Sequence, residues 1–373
     1  MKRSRSPPNT AKPIQLLLHA PAGVVPYMTP LLMSKYFPAP QPHLLLCVSV
    51  QDTCLAPLYP TPEATKPRGY EFVSKSIPEY LQPYDSVMVP SFDLLQDAQQ
   101  RNQDSVQATN KGVSVWSLQG RQVLTNQAYL GLAAAASSAT TTVVSLYDQA
   151  ASHQSKQRHE QASNRNQEWL QQLLLLPAAP KSIWAAITLK EPVATTLKEP
   201  VPTIPQDDKI TGYAIVGVEK SSSKKLIQQL DSSKTIAVLS VTSMESVLEC
   251  LEQGVDVIGT NLPAHWSLSH QALVLPVDYK KKPKTVESTT TVLLIDLTDK
   301  KYAKDGAPLV EGCTCLACKN HSRAYIHHLH QAKELLAQIL LMGHNLHHFL
   351  EFCRHATQAR DEGQLDAFVQ HCK

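Results

Sequence analysis

Three cysteines fall within six residues, Cys313-Thr314-Cys315-Leu316-Ala317-Cys318, and they are the most specific chemical signal in the chain. Thiolates at this spacing can wrap one tetrahedral ion, because a single turn brings the sulfurs together while backbone amides point inward. They are too close to pair comfortably with one another. The other cysteines are scattered, so the pattern suits a reducing compartment and a metal site and does not suit a disulfide scaffold. A closed zinc site needs a fourth ligand, and a neutral imidazole from a following helix would supply it. His344 lies 26 positions after Cys318, one and two turns beyond Leu340 and Leu336, on a face that packing should bury. His321, three residues after Cys318, is the rival, and spacing leaves both open. His327, His328 and His330 read as solvated helix positions. Four protein ligands leave no open coordination position, so the ion would hold the segment folded and would not activate water.

The elements that would position this cluster form a long alternating series. Residues 44–50, 113–118, 142–146, 182–187, 212–218, 236–241 and 255–259 read as buried strands. Several are rich in Val and Ile without alternation, which suits strands covered on both faces. Helices are predicted over residues 161–176, 223–230 and 244–253, and a long helical tail begins near His321. Strand and helix alternating at this spacing imply a parallel sheet. The number of units suits a (β/α)8 barrel, with a doubly wound open sheet as the alternative. The expected organisation is a disordered tail over residues 1–13, a barrel over 14–300 and a zinc-binding subdomain over 301–373. Two stretches read as insertions: the Ala/Ser/Thr-rich residues 134–142, and a proline-rich loop in which residues 189–193 (LKEPV) recur at 197–201. Residues 280–290 read as a charged linker, with a strand-like run at 292–297.

With 373 residues, 43% hydrophobic and 18% charged, the chain is long enough for one large domain or two ordinary ones and reads as globular. No apolar run approaches the roughly 18 residues of a spanning helix, so membrane insertion is not expected. A net charge of +3 permits an acidic partner such as RNA without arguing for one. The basic N-terminus could pass for a transit peptide, but Pro7, Pro8 and Pro13 would break an amphipathic helix there.

The run from Gly312 to Asn345 combines the cysteines with Ser322-Arg323-Ala324-Tyr325-Ile326-His327-His328-Leu329, Glu334-Leu335 and His344-Asn345. It resembles the C-terminal zinc region of tRNA-guanine transglycosylases, and most closely that of the family's eukaryotic accessory subunits. The resemblance is strong from about Tyr302 onward. It implies a (β/α)8 barrel with a zinc subdomain and, as fourth ligand, the histidine before asparagine, His344. Weaker matches lie upstream. Val113-Ser114-Val115-Trp116-Ser117 resembles the accessory subunits. Tyr147-Asp148-Gln149 stands where the family has a strand-end acidic pair, followed by Arg165 and Trp169 at the family's spacing. Residues 211–217 resemble the strand whose Gly-Gly turn approaches the base. Leu16-Leu17-Leu18 matches an early strand, so the family's antiparallel segment ahead of the barrel looks shortened.

Active members of that family exchange guanine at the tRNA wobble position for a 7-deazaguanine base, through attack of an aspartate on the ribose anomeric carbon. The resemblance puts this nucleophile three residues after Asp256, where the chain has Gly259. The family's Asp-Ser-Gly-Gly motif is missing, since Asp85-Ser86 is followed by Val87-Met88. The Gly-Gly turn has become Val216-Gly217, and a side chain at Val216 would obstruct close approach to a planar base. No residue is therefore expected to be catalytic. The resemblance implies a non-catalytic accessory subunit with one structural zinc ion. Its partner would be the catalytic queuine tRNA-ribosyltransferase subunit in a heterodimer, and it would meet tRNA through that complex. It also implies a cytoplasmic location, with peripheral attachment to the mitochondrial outer membrane open. The competing reading is an active transglycosylase-like enzyme with a rearranged site built on Asp148, Asp256 or Asp85. An autonomous zinc-dependent RNA-binding module is disfavoured by the mild charge and unclustered aromatics.

Overall fold

The computed structural model describes residues 12–20, 25–50, 84–90, 108–110, 112–117, 120–136, 141–149, 155–188, 204–216, 222–275 and 293–373. The LKEPV repeat, the 280–290 linker and all but the end of the expected tail lie outside the described residues. Strands run β1 (Gln15–His19), β2 (Leu44–Ser49), β3 (Ser86–Val89), β4 (Gly112–Ser117), β5 (Gly120–Thr125), β6 (Thr142–Val144), β7 (Ser182–Thr188), β8 (Ile210–Val216), β9 (Thr235–Val241), β10 (Val257–Thr260), β11 (Gln271–Val274) and β12 (Leu293–Asp296). Helices are α1 (Pro30–Tyr36), α2 (Asn126–Ala135), α3 (Lys156–Leu174), α4 (Ser222–Gln229), α5 (Met244–Gln253), α6 (Leu262–Leu268), α7 (Leu316–Asn320), α8 (Arg323–Gln331), α9 (Leu336–Asp361) and α10 (Leu365–Cys372).

Eight strands close into a barrel in the order β1-β10-β9-β8-β7-β6-β3-β2, and every neighbouring pair is parallel. Burial on both faces explains the unbroken apolar runs. Side chains at alternate positions, among them Leu17, Cys47, Val87, Val144, Trp184 and Ala237, fill the interior as one apolar cluster. Gly212 makes room for one of them, since a Cβ there would stand 2.6 Å from Trp184 Cδ1. The opposite faces of the strands, with Leu16, Leu18, Ile215 and Ile258, pack against the helices.

Of the strand expected at 113–118, the described residues 113–117 are not a barrel strand. Strand β4 pairs antiparallel with β5 in a separate hairpin, and the short β3 takes the barrel position beside β6. Composition cannot separate the two, because a hairpin strand lying on a core is as Val-rich as a barrel strand. The predicted helix at 244–253 matches α5, which is capped by Ser243 and ended by Gly254 at φ 83°. Helix α3 begins earlier than residue 161 because Ser155 Oγ accepts the Arg158 N–H at 3.2 Å and caps it there.

The C-terminal helices hold the metal region to the barrel. Thr357 Oγ1 on α9 accepts the Ile14 N–H at 2.9 Å just ahead of β1. Arg360 Nη1 donates to Asp256 Oδ1 at 3.1 Å ahead of β10. Beyond the barrel, β11 and β12 form an antiparallel hairpin against α9. A third apolar cluster, including Ala272, Leu297, Ile326 and Leu340, packs around Cys315. Among the described residues no helix is long and apolar enough to cross a membrane.

Candidate metal centre and the barrel mouth

Backbone geometry prepares the cysteine loop. Gly312 takes φ +77°, a left-handed conformation that turns the chain into Cys313. Cys315 is the N-cap of α7, its sulfur accepting the Cys318 N–H at 3.4 Å, and the Cys315 N–H points at Cys313 Sγ at 3.5 Å. His344 projects from α9, fully buried. Its Nδ1 lies 4.0 Å from Cys313 Sγ and 3.4 Å from both Cys315 Sγ and Cys318 Sγ. All four ligand atoms lie within 4.8 Å of one another. Zn–S bonds of about 2.3 Å and a Zn–N bond of about 2.0–2.1 Å place tetrahedral ligand atoms about 3.6–3.8 Å apart. The donor set and its spacing therefore fit a zinc ion.

The surroundings set the protonation that such a site needs. His344 Nε2 donates to the Leu273 carbonyl at 2.9 Å, which fixes the tautomer and leaves the Nδ1 lone pair facing the sulfurs. Burial lowers the His344 pKa and favours the neutral ring. Without a cation, the three thiols cannot ionise together. Hydrogen bonds from its neighbours pull Cys313 down, and the same contacts push Cys315 up. A bound cation removes that conflict. The rival His321 lies at the end of α7, its ring stacked on Tyr325 with centroids 4.9 Å apart, outside the cluster. His327, expected in solvent, is buried, its Nδ1 bonded to the Leu297 carbonyl at 2.8 Å, because α8 packs on the turn that follows β12, and His330 is half-buried, its ring centroid 4.2 Å from that of His270.

The C-terminal mouth of the barrel is where enzymes of this architecture place their chemistry. Asp148 follows β6 there, with its carboxylate fully buried. Two arginines grip it. Arg158 donates to Oδ2 at 2.8 Å and Oδ1 at 2.7 Å, and Arg165 donates twice to Oδ2, at 3.0 and 2.9 Å. Asn166 holds the same residue's backbone through N–H and C=O at 2.6 and 3.1 Å. Both carboxylate oxygens are thereby occupied by guanidinium donors. Sequence reasoning noticed Arg165 and missed Arg158; the available signal was their seven-residue spacing, two turns on one face of α3.

Asp256 and Asp85 stand at the other end. Asp256 precedes β10, accepts the Ile236 N–H at 3.1 Å and pairs with Arg360. Asp85 precedes β3 and is exposed, with its carbonyl accepting the Leu46 N–H. Gly259 pairs in register with the inward-facing Leu17 and so points into the barrel. A Cβ on it would meet Val238 O at 3.0 Å and Leu239 Cδ2 at 3.2 Å. Val216, at the end of β8, belongs to the same interior cluster.

Comparison with known proteins agrees with this architecture. The profile described as queuine tRNA-ribosyltransferase (TGT) matches residues 84–373. The queuine tRNA-ribosyltransferase accessory subunit 2 of Aedes aegypti is 36% identical over 144 residues, 39% of this chain and 33% of that protein. The human protein of that name is 35% identical over 162 residues, covering 37% of this chain and 39% of its own length. The Xenopus tropicalis protein of that name aligns over 300 residues at 26% identity, 70% of this chain and 72% of that one. The chain thus spans 33% and 39% of the length of the first two relatives, and more of the third only at lower identity. Six of the eight barrel strands and the cysteine–histidine cluster fall in the matched region, and the chain belongs to the queuine tRNA-ribosyltransferase family.

Proposed function

We propose that the chain is a non-catalytic accessory subunit that pairs with the catalytic queuine tRNA-ribosyltransferase subunit for exchange of guanine by queuine in tRNA. The observation that carries this reading is the state of the barrel mouth. Among the described residues its one buried acid, Asp148, is bound by two arginines. The position that would hold a nucleophile is Gly259, with Leu239 packed against it.

In the same reading Cys313, Cys315, Cys318 and His344 hold one structural zinc ion. With all four positions taken by protein, the ion contributes folding free energy and rigid geometry. We place the boundary between barrel and zinc subdomain near residue 300. Around the cluster Tyr325, Leu335 and Leu336 are 38%, 61% and 38% exposed, which suits this region as the face that meets the partner. Exposed Lys300, Lys304 and Lys319 would supply phosphate contacts to tRNA held by the complex.

The test is co-expression with the catalytic subunit, followed by size-exclusion chromatography and a guanine-exchange assay on tRNA. The expected result is a one-to-one complex, with queuine incorporation that needs both chains. Separate elution at micromolar concentration, with the catalytic subunit equally active alone, would refute the proposal.

A further inference from the structure

We infer that Asn345 is a positioning residue for the metal centre: it holds the Leu273 peptide so that its carbonyl fixes the His344 ring. The inference rests on reading the cysteine–histidine cluster as a zinc site.

The β11–β12 hairpin has two edges. The Leu297 N–H bonds to the His270 carbonyl at 3.0 Å, which sets the phase of the ladder. Residues 270, 272 and 274 therefore turn their backbone groups toward β12, while Gln271 and Leu273 turn theirs outward. An outward edge buried against a helix needs partners. Helix α9 supplies them from two consecutive side chains. Asn345 Oδ1 accepts the Leu273 N–H at 2.8 Å, and His344 Nε2 donates to the Leu273 carbonyl at 2.9 Å. Asn345 Nδ2 donates to the Gln271 carbonyl at 3.0 Å, so the amide imitates one residue of a parallel strand. The same Nδ2 reaches Ser267 Oγ at 3.0 Å and, more weakly, the Pro263 carbonyl at 3.4 Å, both on α6. Asn345 and Ser267 are fully buried.

This arrangement has a chemical consequence. The carbonyl that orients the imidazole belongs to a peptide that Asn345 fixes from its other side. Loss of the amide would leave the buried Leu273 N–H without a partner and take the donor from the half-buried Gln271 C=O, and the strand would shift to find others. The Leu273 carbonyl would move with it, and the His344 ring would lose its fixed orientation. Groups that orient a ligand in this way are worth roughly 10–100-fold in metal affinity.

The experiment compares full-length wild type and Asn345→Ala. Zinc affinity is measured by competition with a chromophoric chelator, and the visible spectrum is recorded after cobalt substitution. Wild type should bind one equivalent and show the intense bands of a tetrahedral three-sulfur, one-nitrogen site. The variant should bind about 10–100-fold more weakly, with altered cobalt bands. A role confined to stability would lower the melting temperature yet leave affinity per folded chain and spectrum unchanged, and that outcome overturns the inference. If Asn345→Ala does not fold, Ser267→Ala decides, because it deletes one acceptor of the amide at little cost in volume. Binding about two- to tenfold weaker supports the inference, and unchanged binding overturns it. A wild type that binds no zinc refutes the metal-site reading itself, whereas equal binding by wild type and variants refutes the role of Asn345 alone.

Discussion

Replacing Asp148 by Asn separates a structural clamp from a catalytic acid. The carboxylate is fully buried, and its two arginine side chains are only 17% and 11% exposed. The amide would keep the shape while removing the charge, leaving two nearly buried guanidinium groups without a counter-ion. Breaking a buried ion pair by removing one partner costs about 3–5 kcal/mol. At about 2 °C per kcal/mol, the figure for a large domain, the melting temperature should fall by about 6–10 °C. Arg165→Met should be costly as well, and the double variant should cost less than the sum, because both changes remove the same interaction. Thermal unfolding followed by circular dichroism measures all three. Guanine exchange by the reconstituted complex, assayed well below the variant's transition, should be unchanged. An Asp148→Asn protein as stable as wild type whose complex no longer exchanges base would refute the clamp and restore Asp148 as a reacting group.

Purified chain should carry about one zinc, lost in Cys315→Ser and His344→Ala and retained in His321→Ala, as read by elemental analysis; full retention in His344→Ala would overturn the ligand set. Zinc should also leave as pH falls, since protons compete for the thiolates and the neutral imidazole, and retention should be complete again at neutral pH. Gly259→Asp should neither trap a covalent tRNA adduct nor exchange guanine. It should lower the melting temperature, because its Cβ meets Val238 O and Leu239 and its charge enters an apolar interior. Burial pushes the Cys250 and Cys372 thiols up to about 12, and Cys353 higher still. After chelation at about pH 8, mass spectrometry should therefore find iodoacetamide first on Cys313, while Cys250, Cys353 and Cys372 stay unlabelled until the chain unfolds.

Whatever depends on near neighbours was legible in the chain alone. Three soft donors within six residues announce a metal loop, because no long-range packing is needed to bring them together. The parallel barrel was legible because strands buried on both faces lose their polar alternation, and α5 because its cap and its terminating glycine flank an apolar periodicity. Which partners meet was settled only by packing. Spacing left His321 and His344 open, and the path of the chain through α8 and back along α9 delivers His344 to the sulfurs. His327 looked solvated until the turn after β12 covered it. Val113 and its neighbours have the composition of a barrel strand, yet pairing assigns that place to β3. Asp148 illustrates the physical reason. Its residue type and its place at a strand end suit a base-reading acid and a structural anchor equally well. What favours the anchor, in the reading proposed above, is two guanidinium groups, 10 and 17 residues further on, that α3 turns onto it. Donor type and local periodicity are written in the chain, but the charge and space around a side chain exist only once the elements have packed.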